Sequence, residues 1–181
     1  MVTRPSILLI DDSPGECELF RLALAQTDLD VTLYTEQDTD AAFRFLESRA
    51  HHSEWSLQAC SSSILEGGLN RSPTARVERA HSDCARSAST ATLSPAAPSL
   101  PSLILLDLHL GRQNGCDLLK RLRSDARFAT LPVVVFTTSD DQADLADSCS
   151  CGANGYVVKP GTFDALVRCT TDLCRYWLTW N

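Results

Sequence analysis

Acidic, hydroxyl and ammonium side chains follow the short apolar segments of this 181-residue chain. Asp11 and Asp12 come directly after SILLI, and Asp107 lies near the end of LILLDL. Thr137 lies in VVVFTT, and Lys159 ends YVVK. Ionised carboxylates are costly to bury unless they are paired, hydrogen-bonded or bound to a metal. These five residues are therefore candidates for a charged site, provided that the fold brings them together.

The chemistry of such a site follows from its charges. Three crowded carboxylates raise one another's pKa unless a cation keeps them ionised. Mg²⁺ suits an all-oxygen site and keeps several water ligands. Asp107 is then a candidate nucleophile, because a carboxylate can attack phosphorus and give an aspartyl phosphate. Phosphoryl transfer needs mainly positioning and charge neutralisation, which Mg²⁺, Lys159 and the Thr137 hydroxyl would supply.

Each of these residues also has an ordinary structural explanation. Asp11 and Asp12 could cap the helix that begins near Pro14. Lys159 could simply end a strand, and Thr137 is a β-branched residue of the kind that strands favour. All of these explanations would have to hold at once and still place the charges at one edge, so the complete site is the favoured interpretation.

The elements that must position the site are predicted from the hydrophobic pattern. Five apolar segments predict buried strands at residues 6–10, 31–35, 103–108, 133–138 and 156–159. Apolar residues spaced by three and four between and after them predict helices. This alternation indicates an α/β fold, a (βα)5 doubly wound sheet of five parallel strands with helices on both faces. In such sheets the functional groups lie at the carboxyl ends of the strands.

One segment departs from this alternation. Residues 51–101 are rich in Ser, Ala and Pro and have no sustained apolar periodicity, which predicts a mostly disordered insertion before the third strand of a single domain spanning residues 1–181. His81 and Cys84 form the segment's one compact pair of zinc-ligand types. That spacing favours a surface segment over a zinc site.

Composition limits the partners and the compartment. The chain has 16 Lys and Arg against 23 Asp and Glu, a net charge of −7 and a pI near 5.0, which opposes direct binding to nucleic acid. The first apolar segment is too short for a signal sequence or a membrane span, so a soluble cytoplasmic protein without membrane contact is expected. None of the eight cysteines forms a CxxC pair, and most lie within apolar periodic segments, which predicts reduced core thiols for those.

Taken together, LLIDDS, LILLDL, VVVFTTS and GYVVKP resemble the receiver domain of two-component response regulators. The resemblance implies a flavodoxin-like fold with strand order 2-1-3-4-5. Within that family, TTSD and YWLTW resemble single-domain regulators that partner bacterial phytochrome histidine kinases. A histidine kinase of that type is therefore the expected partner.

The resemblance also implies roles for the charged residues. Asp107 matches the phosphoacceptor, and Asp12 and Asp107 match the direct Mg²⁺ ligands. Asp11 matches the acid that acts through a metal-bound water. His109 matches the residue whose backbone carbonyl binds the metal. Gly111 stands where the family usually has proline, which predicts a looser loop after the acceptor.

A second group of matching residues would transmit the signal. Thr137 matches the switch hydroxyl, Tyr156 the aromatic ring whose rotamer reports phosphorylation, and Lys159 the phosphate-binding ammonium. The resemblance further implies a cis peptide bond between Lys159 and Pro160.

Three functions remain open at this point. The first is a signalling receiver that catalyses only its own phosphorylation and dephosphorylation, without an output domain because residues 160–181 are too few for one. Trp177 and Trp180 on its terminal helix predict a homodimer contact. The second is an aspartyl phosphatase, which would place a D-x-D motif after the first strand. The third is a phosphate-independent adaptor, which would lack an acid or the lysine.

Overall fold

The computed structural model describes residues 4–62 and 99–179. The strands are β1 (Ser6–Ile10), β2 (Thr32–Glu36), β3 (Leu103–Leu106), β4 (His109–Leu110), β5 (Gln113–Asn114), β6 (Val133–Thr137) and β7 (Gly155–Val158). The helices are α1 (Pro14–Ala25), α2 (Thr39–Ser62), α3 (Gly115–Ser124), α4 (Gln142–Ser150) and α5 (Phe163–Thr179). None of the helices in these ranges combines the length and the apolar character that a membrane span requires.

Five strands form one parallel sheet in the order β2-β1-β3-β6-β7. Numbered without the short β4 and β5, this is the predicted order 2-1-3-4-5, so the (βα)5 doubly wound prediction is confirmed. Strands β1, β3 and β6 are buried along their whole length, as expected for central strands covered on both faces. Strands β2 and β7 form the partly exposed edges.

The core consists of two apolar layers, one on each face of the sheet. Phe43 and Leu46 of α2 and Leu119 of α3 pack on one face. Phe20 of α1 and Leu173 of α5 pack on the other. Complete burial of a Leu or Phe side chain contributes about 1.5–3 kcal/mol, so these layers hold the carboxyl ends of the strands at fixed positions.

The start of α1 shows which residue caps this helix, a role for which Asp11 and Asp12 were candidates. Ser13 is the N-cap, and its hydroxyl accepts a hydrogen bond from the Glu16 backbone N–H. Pro14 occupies the first helical turn, where its missing N–H costs nothing. The structure therefore does not use Asp11 or Asp12 as the cap of this helix.

The predicted insertion starts later than its composition indicated. Helix α2 continues to Ser62, and residues 51–62 contain no Gly or Pro that would end a helix. At the other margin Pro101 is buried and Leu100 packs against the core. Residues 51–62 and the last two residues of the segment thus belong to the folded part, whereas His81 and Cys84 lie outside the described residues.

The loop after Asp107 is a small hairpin, which the sequence analysis did not predict. Strands β4 and β5 pair antiparallel, with His109 opposite Asn114 and Leu110 opposite Gln113. Gly111 has φ +60°, the sign that the first residue of a two-residue hairpin turn requires. The glycine therefore supports a paired turn, rather than the looser loop that its replacement of proline suggested.

Of the six cysteines whose side chains the structure describes, Cys17, Cys116 and Cys174 lie in the core, and none of the six is in a disulfide. Burial raises the pKa of Cys17 and Cys174 to about 11, so both remain thiols at neutral pH. Cys149 is exposed, and for this residue the prediction of a core thiol is wrong.

Candidate functional site

The sheet brings the predicted charged residues to one edge. Asp11 follows β1 directly, Asp107 follows β3, Thr137 ends β6 and Lys159 follows β7. Strand β3 ends at Leu106, so Asp107 lies just past the buried strand in which the sequence analysis had placed it. Since the carboxyl ends of parallel strands share an edge, the topology alone accounts for their meeting.

A buried ion-pair cluster lies at the centre of this edge. The Lys159 Nζ atom is 2.6 Å from Asp11 Oδ2 and 2.8 Å from Asp107 Oδ2. The exposed fractions of the three side chains are only 7%, 2% and 9%. Burial by itself would lower the pKa of Lys159, but hydrogen bonds to Asp107 and Asp11, together with their charges, raise it above its ordinary value. The ammonium group therefore stays charged between the two carboxylates.

The second oxygen of each carboxylate is held by a backbone donor. Asp11 Oδ1 accepts a hydrogen bond from the Ser13 N–H at 2.9 Å. Asp107 Oδ1 accepts one from the His109 N–H at 3.3 Å. Both carboxylates are thus fixed from two sides, and the Asp107 oxygens already lie against an N–H and an ammonium group that favour negative charge.

Asp12 lies apart from this cluster. Its side chain is exposed, and its Oδ2 lies 3.5 Å from the place that a Cβ on Gly111 would occupy, beside the hairpin turn. Among the side chains that the structure describes, no three His, Cys, Asp or Glu residues are grouped as a ready set of metal ligands. The metal-ligand roles of Asp11, Asp12, Asp107 and the His109 carbonyl stay predictions, and their all-oxygen donor chemistry fits Mg²⁺.

Thr137 and Tyr156 contact the same neighbour, Ser139. The completely buried Thr137 hydroxyl accepts a hydrogen bond from the Ser139 N–H at 3.4 Å. The Tyr156 hydroxyl donates to the Ser139 carbonyl at 3.0 Å. Burial raises the pKa of Tyr156, so the phenol keeps the proton that it donates at neutral pH. The two candidate switch residues are therefore connected through one backbone segment.

The contacts of three further residues were not predicted from the sequence. Glu16 Oε2 lies 3.2 Å from Lys159 Nζ. The Ser139 hydroxyl donates to Asp144 Oδ2 at 2.6 Å, and that oxygen lies 3.8 Å from His109 Nε2. Both acids lie in the first turn of a helix, Glu16 in α1 and Asp144 in α4. Because the helix dipole favours acids at any helix N-terminus, their positions alone did not indicate a functional role.

Gly115 is a fourth missed residue, and its role is steric. A Cβ at this position would lie 2.4 Å from the Asp107 carbonyl oxygen and 3.0 Å from the Leu108 Cα. Side chains essentially cannot be accommodated at such distances from backbone atoms. The absence of a side chain therefore lets α3 begin directly beneath the loop that follows Asp107.

Near the C-terminus one prediction is wrong, and the predicted homodimer contact of the tryptophans stays a prediction. No peptide bond among the described residues is cis, so the expected cis bond between Lys159 and Pro160 is wrong for this structure, and the bond has the trans form that X–Pro pairs ordinarily prefer. Trp177 is partly buried and packs against the core beside Gly155, whereas Tyr176 is 62% exposed. Trp180 lies outside the described residues.

Comparison with known proteins agrees with this geometry. The sequence pattern of the response regulator receiver domain matches residues 75–170, which is more than half of the chain. The response regulator Rcp1 of Synechocystis is 24% identical over 172 residues, covering 95% of this chain and 88% of that protein. The probable methanogenesis regulatory protein FilR2 of Methanothrix harundinacea is 40% identical over 83 residues, 46% of this chain and 54% of that protein. The chain thus spans about half the length of some relatives.

Solved structures show the same fold. The phosphorylated cyanobacterial phytochrome response regulator RcpA has a TM-score of 0.66 and 23% identity, with 99% of this chain and 97% of that chain covered. The Mn²⁺-bound form of Rcp1 has a TM-score of 0.64 and 23% identity over 98% and 96%. The strand order, the residues at the carboxyl edge of the sheet and the extent of the family match agree. The chain therefore belongs to the response regulator receiver domain family and is the receiver domain of a response regulator.

Proposed function

We propose that this receiver accepts a phosphoryl group on Asp107 from a phosphohistidine of a histidine kinase. The observation that carries the proposal is the position of the Lys159 ammonium, within 2.8 Å of both Asp107 and Asp11 at one buried edge. A carboxylate held there lies next to the cation that would neutralise the incoming phosphoryl oxygens.

The transfer forms one bond and breaks another. A carboxylate oxygen of Asp107 attacks phosphorus, the P–N bond to the donor imidazole breaks, and the histidine leaves with that electron pair. Lys159 then has a phosphoryl oxygen to contact in place of the Asp107 carboxylate. Later attack by water on the same phosphorus breaks the P–O bond to Asp107 and releases inorganic phosphate. Asp107 returns to its carboxylate form, so the domain acts as a signalling protein that turns over its own modification.

A divalent cation, Mg²⁺ in the cell, fits the donor chemistry of this edge. Asp11, Asp12, Asp107 and the His109 carbonyl would hold it, and the related Rcp1 has been solved with Mn²⁺ bound. The cation would supply additional neutralisation of the phosphoryl charge. Within the chain, the exposed position of Asp12 beside Gly111 leaves its carboxylate accessible to such an ion.

Ser139 is the residue through which phosphorylation would change the conformation of the neighbouring elements. A phosphoryl group that accepts a hydrogen bond from the Thr137 hydroxyl would draw this hydroxyl away from the Ser139 N–H that donates to it. Tyr156 is bonded to the same residue, and Ser139 also bonds Asp144 in the first turn of α4. Movement of this segment would therefore change α4 and β7 together.

Two partners are inferred, a kinase from the similar proteins and a second copy of the chain from the exposed apolar side chains. The similarity to Rcp1 and to the phytochrome response regulator RcpA supports a phytochrome-type histidine kinase as the phosphoryl donor. Leu145 of α4, Val158 of β7 and Tyr176 of α5 are each at least 40% exposed. Three neighbouring elements that each expose a large apolar side chain support a homodimer through this face.

Phosphotransfer in vitro tests the proposal. The receiver is incubated with acetyl phosphate, with Mg²⁺ or with EDTA, and its intact mass is measured for the wild type and for Asp107→Asn. Asp117→Asn, which changes an acid in the first turn of α3, is the matched control. We expect one Mg²⁺-dependent phosphoryl adduct in the wild type and in Asp117→Asn only. A folded wild type that forms no adduct would support a phosphate-independent adaptor instead.

A further inference from the structure

Two cysteines that are distant in sequence meet beside the proposed phosphorylation site. Cys116 lies in the first turn of α3, and Cys151 is the C-cap of α4. Both pack around the apolar cluster formed by Leu108 and Val135. Cys116 is one of the buried members of this cluster, and Cys151 packs against the cluster from the end of α4. A disulfide requires the two Cβ atoms to come within about 3.5–4.5 Å of each other, a separation that two side chains sharing one small cluster can reach.

The pair is accessible on one side. Cys116 is 8% exposed, whereas Cys151 is partly exposed. Cys116 also lines a cleft of about 180 Å³ between the β4–β5 hairpin and α4, together with His109 and Asp147. A small polar oxidant can therefore approach the pair from solvent, while the apolar cluster covers its other side.

The two thiols differ in reactivity. Burial, followed by the hydrogen bond and charge of Cys151, raises the pKa of Cys116 to about 11. Cys116 is thus kept as a thiol at neutral pH. Cys151 is the more exposed of the two, so it meets an oxidant from solvent first and Cys116 reacts second.

We propose that Cys116 and Cys151 form an oxidisable pair that an oxidant of the peroxide class converts to a disulfide. The Cys151 thiolate attacks a peroxide oxygen, the O–O bond breaks, and a sulfenic acid forms with release of one hydroxide or water. Cys116 then attacks the sulfenic sulfur, and the second water leaves as the S–S bond forms. Two thiols and one hydrogen peroxide thus give one disulfide and two waters, and a dithiol reductant reverses the change.

Helix α3 and the residues after α4 are already joined by a hydrogen bond from the Arg123 side chain to the Gly152 carbonyl at 2.9 Å, and the disulfide would add a covalent bond. It ties the first turn of α3, which follows the hairpin after Asp107, to the end of α4. Gly152 and Ala153, which follow Cys151, lead directly into β7. The oxidised protein is therefore expected to have the C-terminal end of α4 anchored, with slower amide exchange there than in the reduced protein.

Peptide mapping after oxidation tests the pair. The full chain is treated with hydrogen peroxide, free thiols are alkylated, and the tryptic peptides are identified by mass spectrometry without reduction. Cys116 lies in the peptide of residues 113–120, and Cys151 shares the peptide of residues 128–168 with Cys149. Cys149→Ser is the matched control, because Cys149 is exposed and lies two positions from Cys151.

We expect a cross-link between these two peptides that is the most abundant linkage, disappears on reduction and persists in Cys149→Ser. It should be lost in Cys151→Ser and in Cys116→Ser. Cys151→Ser alters a partly exposed residue, so the test does not depend on whether the core variant folds. The proposal is overturned if the cross-link persists in Cys151→Ser, or if Cys116 is fully alkylated after peroxide treatment of the wild type.

Discussion

At the scale of single residues, the site consists of buried charges of opposite sign that neutralise one another. Asp11 and Asp107 face one ammonium group, and their remaining oxygens bond backbone N–H groups. Removing one partner of a buried ion pair costs far more than removing a pair on the surface. The consequences of substitutions at this edge should therefore differ sharply with burial.

Lys159→Met should destabilise the fold. The change leaves the Asp11 and Asp107 carboxylates buried without their cation, and a loss of about 3–5 kcal/mol is typical of such a broken pair. Urea unfolding followed by circular dichroism measures the difference. Millimolar Mg²⁺ should recover part of the loss if the carboxylates can hold a cation, and an unchanged midpoint in Mg²⁺ would argue against the metal site.

Glu16→Gln is the matched control for this experiment. Glu16 contacts the same ammonium group at 3.2 Å, but its side chain is 40% exposed. Exposed pairs contribute roughly 0–1 kcal/mol, so the urea midpoint should barely move. An effect of Glu16→Gln as large as that of Lys159→Met would contradict the expectation that buried ion pairs contribute more to stability than exposed ones.

The raised pKa of Lys159 determines how this stabilisation depends on pH. Because the pKa is higher in the folded protein than the ordinary 10.5, the stabilisation is fully present below that ordinary value. It is lost only as the pH rises through the folded pKa. The difference in unfolding free energy between wild type and Lys159→Met should thus stay constant from neutral pH to about pH 10 and then shrink.

At the scale of elements, the loop after Asp107 depends on close backbone approach. Gly115→Ala would place a Cβ 2.4 Å from the Asp107 carbonyl oxygen, which forces either the loop or the start of α3 to move. We expect a loss of about 1–3 kcal/mol together with slower phosphorylation by acetyl phosphate. Gly161→Ala is the matched control, because its Cβ would have no atom within 4 Å. Equal behaviour of the two variants would show that the close approach is unimportant.

Ser139 joins the proposed switch to α4. Ser139→Ala removes the hydrogen bonds to Asp144 and from the Asp141 N–H but keeps the backbone carbonyl that Tyr156 bonds. Amides in the first turn of α4 should exchange faster, consistent with loss of bonds worth about 1 kcal/mol. Ser150→Ala, at the other end of α4, serves as control. Unchanged exchange at the first turn of α4 would remove Ser139 from the proposed connection.

The sheet and the charged edge could be predicted from the sequence because both depend on local patterns. Strands β1, β3 and β6 are continuous apolar segments, and each is followed by a residue type that is unusual in a core. The β4–β5 hairpin was not predicted, since HLGRQN lacks the apolar alternation that identifies longer strands. The contacts of Ser139 and Glu16 were also missed, because ordinary polar residues near helix starts carry no signal until their distant partners are known.

At the scale of the whole molecule, the face formed by α4, β7 and α5 is the proposed dimer surface. Tyr176→Glu places a charge on this exposed aromatic position and should shift the protein toward the monomer, as measured by light scattering after size exclusion. Leu19→Glu on α1, where the side chain is 47% exposed, is the matched control. A wild type that is monomeric at every concentration would contradict the proposed dimer.

The central claim is that Asp107 receives the phosphoryl group, and chemical trapping tests it most directly. The receiver is phosphorylated with acetyl phosphate and Mg²⁺ and reduced with sodium borohydride, which converts an aspartyl phosphate to homoserine. The modified residue is then located by peptide sequencing in the mass spectrometer. The account predicts homoserine at position 107 alone. Homoserine at position 11 or 12, or at none of these positions in a folded protein, would contradict it.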